Sequence, residues 1–114
     1  MNQEFKIGLF NGLQQLKNSG KEFIPLFNHG SLEVELYKPD KKDQQQPHKK
    51  DEVYIIASGT ARFINDQEIV EVVQGDFLFV AAGKEHRFFE FSEDFSTWVI
   101  FYGPAGGEKA SINE

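Results

Sequence analysis

Residues 46–59 read QPHKKDEVYIIASG, and this stretch decides what the remainder of the chain builds. His48 and Glu52 stand four apart, on the approach to a run of β-formers that stops at Ser58-Gly59. On an extended segment, residues separated by an even number share a face. His48, Glu52, Tyr54 and Ile56 are therefore expected to look into one interior, with Tyr54 and Ile56 as candidates for a pocket wall. Gln46 obeys the same parity, and Pro47 between them suits a strand's first residue or an edge. A second histidine opens a later stretch, GKEHRFFEF at 83–91, where His86 follows a turn and shares its face with Phe88 and Glu90. In a rolled sheet the imidazoles of His48 and His86 converge with the Glu52 carboxylate. Two imidazoles and one carboxylate occupy one face of a six-coordinate ion and leave positions open for substrate, water or oxygen. A cation there also offsets the cost of an ionised glutamate in an apolar interior.

The surrounding sequence supports a β architecture. SLEVELYKP (31–39) alternates Leu32, Val34 and Leu36 with Glu33, Glu35 and Tyr37, which predicts a strand with one buried face ended by Pro39. EVYIIAS, TARFIN, EIVEVV, DFLFVAA, HRFFEFS and TWVIFYG follow as short strands, separated by turn signals at Ser58-Gly59, Asn65-Asp66, Gln74-Gly75 and Gly83. Many short strands at regular spacing predict an antiparallel sandwich or barrel. Ahead of them, Phe5, Leu9, Leu13 and Leu16 fall on one helical face, weakened by Gly8 and Gly12 and stopped by Gly20. Residues 1–20 are thus a helical segment packing on a barrel of residues 21–103, and 104–114 a flexible tail. His29, in FNHGS, reads as a turn residue, and Arg87 has the parity of the outer face. The face of the last strand that carries Trp98, Ile100 and Tyr102 is not fixed by the pattern.

Composition narrows the function. The chain has 114 residues, enough for one core. It contains no cysteine, which excludes thiolate chemistry and disulfides and leaves nitrogen and oxygen as metal donors. That composition, with no membrane-length apolar run and no signal-peptide pattern, reads as cytoplasmic with no membrane partner. A formal net charge of −6 argues against nucleic acid. The cluster Lys41, Lys42, Lys49 and Lys50 is interrupted by Asp40, Asp43 and Asp51 and reads as a solvated loop. Twelve phenylalanines imply either a dense aromatic core, the reading preferred for most of them, or a pocket lined with rings.

Taken together, these residues resemble the cupins. The first cupin motif runs Gly, five residues, His, one residue, His, three or four residues, Glu, six residues, Gly; here His48, Glu52 and Gly59 fit its second half. The second runs Gly, five residues, Pro, one residue, Gly, two residues, His, three residues, Asn; Gly75, Gly83 and His86 fall in register. The resemblance extends from about Leu32 to Tyr102. It implies an all-β fold, a single cupin-type antiparallel β-barrel (double-stranded β-helix, or jelly roll) with a short N-terminal helix. It also implies a divalent ion (Fe, Mn, Zn or Ni) held by His48, Glu52, His86 and, by position, Gln46. Gln46 replaces the first histidine, Asp40 the opening glycine, Ala81 the proline and Glu90 the terminal asparagine.

Glu90 is the candidate acid/base residue, unless its strand shifts at the end and releases it to solvent. Two functions follow: a small metalloenzyme acting on a small organic molecule, with dioxygen chemistry the most specific form, or a non-catalytic binding or sensing module with a structural or absent metal. A strand edge near the N-terminus points to a homodimer.

Overall fold

The computed structural model describes residues 5–109. Helix α1 (Leu9–Ser19) is followed by eight strands: β1 (Phe23–His29), β2 (Leu32–Tyr37), β3 (Asp51–Ser58), β4 (Thr60–Asn65), β5 (Glu68–Val73), β6 (Phe77–Val80), β7 (His86–Phe89) and β8 (Ser96–Tyr102). They form an antiparallel five-stranded sheet, β1-β2-β8-β3-β6, and a three-stranded sheet, β5-β4-β7. Between the sheets lies an aromatic core in which Tyr54, Phe63, Phe88 and Phe95 are at most 1% exposed. Their rings meet edge-on or tilted, with centroids 4.6–4.9 Å apart for Tyr54–Phe88, Phe63–Phe88 and Phe88–Phe95. Such pairs add about 0.5–1.5 kcal/mol each beyond the area they bury.

Strand β1 was not expected, because Pro25 lies within it. Pro25 is tolerated because β1 is an edge strand, and the register slips between Pro25 and Phe27. This bulge blunts the edge that pointed to dimerisation. His29 ends β1, exposed, opposite Leu32.

The faces of the large sheet follow from its register. One row crosses four strands as Glu33, Phe101, Glu52 and Val80, and the next as Glu35, Val99, Tyr54 and Leu78. These rows face the interior. The leucine face of β2 therefore points outward, opposite to the simplest reading of its alternation. Leu36 is buried there by α1, where a Cβ on Gly12 would lie 2.5 Å from Leu36 Cδ1 and 3.2 Å from Leu26 Cδ1. Gly12, a liability for helix propensity, is what lets the helix backbone approach β2 closely. Gly20 terminates α1 in the left-handed conformation (φ 72°). Trp98, Ile100 and Tyr102 lie on the outer face with Leu36 and Val34.

The C-terminal segment turns back after β8. Gly106 N–H donates to the Lys49 carbonyl (2.6 Å) and Glu108 N–H to Asp51 Oδ2 (2.8 Å), so Gly106 and Glu108 are tied to the start of β3. Residues 1–4 of the expected helical segment and 110–114 of the expected tail lie outside the described residues. No helix among the described residues is long and apolar enough to cross a membrane.

Candidate metal centre

Glu52 enters the interior from β3, and His86 enters at the first residue of β7. His48 comes from the loop before β3, and its carbonyl accepts the Gly83 N–H (2.8 Å). This bond joins the glycine of the second motif directly to the histidine of the first and fixes the two segments side by side. His86 Nε2 lies 3.2 Å and His48 Nε2 3.9 Å from Glu52 Oε1. One donor atom from each of the three residues lies within 4.8 Å of the others. The Glu52 and His86 side chains are each 1% exposed, whereas His48 is one-third exposed and packs edge-on against Phe101 (4.8 Å).

Proton placement tests whether a cation fits. His86 Nδ1 is 2.8 Å from the Lys84 carbonyl oxygen. A carbonyl only accepts, so Nδ1 carries the hydrogen and a neutral ring turns the Nε2 lone pair toward Glu52. Both Glu52 oxygens and His86 Nε2 are buried without a hydrogen-bond partner; the 3.2 Å approach is close enough for an ion pair but is not a formed hydrogen bond. A lone pair facing a carboxylate in a dry interior requires a positive charge between them, either a proton or a metal ion. Burial alone pushes the His86 pKa down. The adjacent Glu52 carboxylate, the Lys84 carbonyl and the charge of Asp43 outweigh it, and the net shift is upward. Two donors bound to one ion at about 2.1 Å lie about 3.0 Å apart when adjacent and about 4.2 Å when opposite, so this donor set fits a small divalent cation after slight contraction.

Gln46, placed at the site by its motif position, is exposed. The preceding residue, Gln45, takes its place: its Oε1 accepts from the Tyr54 hydroxyl (3.0 Å) and lies 3.5 Å from His48 Nε2. The loop is not an extended strand here, so even-number parity fails across Pro47. What holds Gln45 is Asp43, 3% exposed although it reads as a solvated loop acid. Asp43 Oδ1 accepts the Tyr37 hydroxyl (2.7 Å) and Gln45 N–H (3.1 Å), and Oδ2 accepts Gln45 Nε2 (3.0 Å) and the Phe88 N–H (2.8 Å). Strand β7 is an edge of its sheet, and Asp43 pairs an N–H that the ladder leaves open. No periodic signal marks Asp43; only the closure of the barrel mouth assigns it.

Glu90, the acid/base candidate, is outside. It sits at φ 51°, past the end of β7, with its side chain 66% exposed and 3.6 Å from Arg62. The left-handed turn breaks the alternation that would have aimed it inward. Tyr54, Ile56 and Phe88, expected in the pocket wall, are at most 1% exposed within the core because the rings of Phe63 and Phe95 fill the space beside them. Arg87 is exposed, over the Phe89 ring. The open cavity, about 650 Å³, is lined instead by Glu22, Phe23, Glu35, Tyr37, Gln45 and His48, among others. That volume suits a small organic ligand. Half-buried Glu35 faces it, its pKa raised by burial first and then by the charges of Glu33 and Glu52. The alternation of β2 hides Glu35, because apolar Leu32, Val34 and Leu36 are the natural candidates for the inward face.

The antiparallel barrel and the two motif fragments that meet at its mouth point to the cupin class. The chain belongs to the cupin family: the family model for the cupin domain matches residues 33–101. It is 34% identical over 84 residues to an uncharacterized protein of Streptomyces coelicolor, SCO3923, covering 72% of this chain and 80% of that one. Among solved structures, a cupin superfamily protein of Desulfitobacterium hafniense superposes with a TM-score of 0.59 at 22% identity, covering 70% of this chain and 74% of that one. The DMSP lyase DddQ of Ruegeria pomeroyi superposes with a TM-score of 0.62 at 22% identity, covering 71% of this chain and 46% of that one. At these identities the two structures speak to the fold alone.

Proposed function

We propose that this cupin binds a divalent metal ion through His48, Glu52 and His86, and that a small organic molecule enters by the adjoining cavity to meet it. The observation that carries this reading is the set of buried atoms without partners, Glu52 Oε1 and Oε2 and His86 Nε2, behind a cavity to which His48 has access. His48, Glu52 and His86 would hold the ion, which when bound would supply Lewis-acid chemistry; a two-histidine, one-carboxylate set suits Fe(II) and dioxygen chemistry. The chain's own residues have separate tasks. Lys84 fixes the His86 tautomer through its carbonyl, and Glu35 presents a carboxyl of raised pKa to the ligand space as a proton donor or acceptor. The position of Glu90 removes one catalytic candidate and favours a second reading, a binding or sensing module with the same site.

Isothermal titration of the chelator-stripped protein with Fe(II) under anaerobic conditions, and with Mn(II), Zn(II) and Ni(II), tests the site. One ion per chain is expected. Glu52→Gln should weaken binding by at least about 100-fold, beyond the loss from removing an outer partner. No uptake of any ion would end the metal reading. Oxygen consumption by the Fe(II)-loaded protein with a bound organic molecule separates the readings: consumption supports an oxygenase, and its absence with ligand binding retained supports the module.

We also propose that two copies pair through the outer face of the large sheet. Two rows there, Leu36–Trp98–Ile55–Phe77 and Val34–Ile100–Val53–Phe79, are apolar across four strands, and Phe77 and Phe79 are 62% and 46% exposed. The cysteine-free composition supports a cytoplasmic setting.

A further inference from the structure

Asp43 does more than close the barrel mouth. Its carboxylate can only accept, and Oδ2 takes the Gln45 side-chain nitrogen at 3.0 Å. The Gln45 amide therefore has one permitted orientation, with NH₂ on Asp43 and Oε1 toward the interior. With the amide so fixed, the Tyr54 hydroxyl donates to that oxygen at 3.0 Å. A carbonyl oxygen has two lone pairs. One is used by Tyr54; the oxygen also stands 3.5 Å from His48 Nε2, a weak hydrogen bond when that nitrogen carries the proton and, when it does not, a separation that falls between adjacent and opposite donors of a single small ion.

We infer that the Oε1 atom of Gln45, locked in orientation by Asp43, is a fourth protein donor to the ion of the proposed site, and that it narrows the advantage of Zn(II) and Ni(II) over Mn(II) relative to a site with a third imidazole in its place. The inference rests on the metal reading above. A set of two nitrogens and two oxygens, one of them a neutral amide, is harder than a set of three imidazoles and a carboxylate. Nitrogen-rich sites follow the Irving–Williams order steeply, whereas carbonyl and carboxylate sites suit magnesium- and manganese-like ions. Asp43 is the positioning residue, acting on the ion only through Gln45.

The test is titration of the metal-free full-length chain with Mn(II), Zn(II) and Ni(II) chlorides in wild type and variants, with thermal melts as a folding control. Gln45→Ala should weaken Mn(II) by about tenfold, the scale of a lost weak ligand or outer partner. Gln45→His should raise affinity for Zn(II) and Ni(II) relative to Mn(II) by about tenfold or more. In Asp43→Asn the new amide nitrogen would face the Phe88 N–H or turn the Gln45 amide over, so Mn(II) should weaken by about 10- to 100-fold. If Asp43→Asn does not fold, the two Gln45 variants decide the matter alone. Mn(II) affinity within twofold of wild type in Gln45→Ala, or unchanged metal preference in Gln45→His, overturns the inference. Loss of the ion in Glu52→Gln alongside an unaffected Gln45→Ala leaves the metal site standing and removes only Gln45 from it. Wild-type protein that takes up none of the ions removes both.

Discussion

Single side chains at the barrel mouth show how burial and charge act together. Glu35 is held above the ordinary carboxyl value of 4.5 by burial, then by Glu33 and Glu52. A carboxyl with a raised folded-state pKa binds its proton more tightly in the folded chain. Its favourable contribution is complete below the unfolded value and is lost as pH rises through the raised one. The charge that remains at neutral pH opposes folding, so Glu35→Gln should raise Tm there. The gain should shrink to nothing as pH is brought below 4.5, measured in chelator so that no cation screens Glu52. A neutral-pH Tm equal to or below that of wild type would contradict it. Asp43 and Asp51 make the opposite point: both are buried, yet each accepts backbone N–H groups that would otherwise be unpaired. Such roles leave no trace in spacing, because the donors come from segments more than thirty residues away in the chain.

Turns and helix ends carry the next level of constraint. Gly59 joins β3 to β4 at φ 77°, and a Cβ there would fall 2.7 Å from Phe95 Cα and 2.8 Å from Asp94 Oδ1, and against Ser92 Oγ. The neighbour at Phe95 is backbone and cannot rotate aside. Gly59→Ala should therefore cost at least about 2 kcal/mol, from left-handed strain of about 1–3 kcal/mol and the added clash. It would appear as a lower urea midpoint at unchanged m-value. The motif spacing that ends at Gly59 thus has a mechanical reason: the turn must pass beneath the 92–95 loop. Strand β1 was concealed by Pro25, and the orientation of β2 by an alternation in which both faces are covered, one by α1 and the other by the barrel interior. Alternation specifies that two faces differ; it does not specify which faces inward.

Viewed from outside, the barrel is more apolar than a solitary antiparallel sheet needs to be. Sheets with one solvated face normally alternate apolar with polar residues. Here two rows across β2, β8, β3 and β6 are apolar on the outer face as well, and α1 covers only the β1–β2 end. No charged residue interrupts these rows, so two chains of net charge −6 can stack there without opposing like charges at the centre. Sedimentation equilibrium should give twice the 13.0 kDa chain mass. The exposed double variant Phe77→Lys/Phe79→Lys should give a monomer with its Tm little changed apart from the lost association. A monomeric wild type at micromolar concentration would refute the pairing.

The order of residues along the chain was enough for an all-β barrel with a leading helix, for the two motif fragments, and for His48, Glu52 and His86 as a converging group. The strands and motif fragments depend on local propensity and on fixed intervals, which are short-range properties of the polypeptide; the meeting of His48 and Glu52 with the distant His86 was implied by the resemblance that those fragments carry. The remaining features arise where distant segments meet: Gln45 rather than Gln46 at the site, Asp43 holding it, Glu35 in the cavity, Glu90 turned out to Arg62, and the inward direction of β2. Each depends on how a loop crosses the barrel mouth or how a strand ends. Those are settled by long-range hydrogen bonds and packing that no periodicity within a single segment encodes.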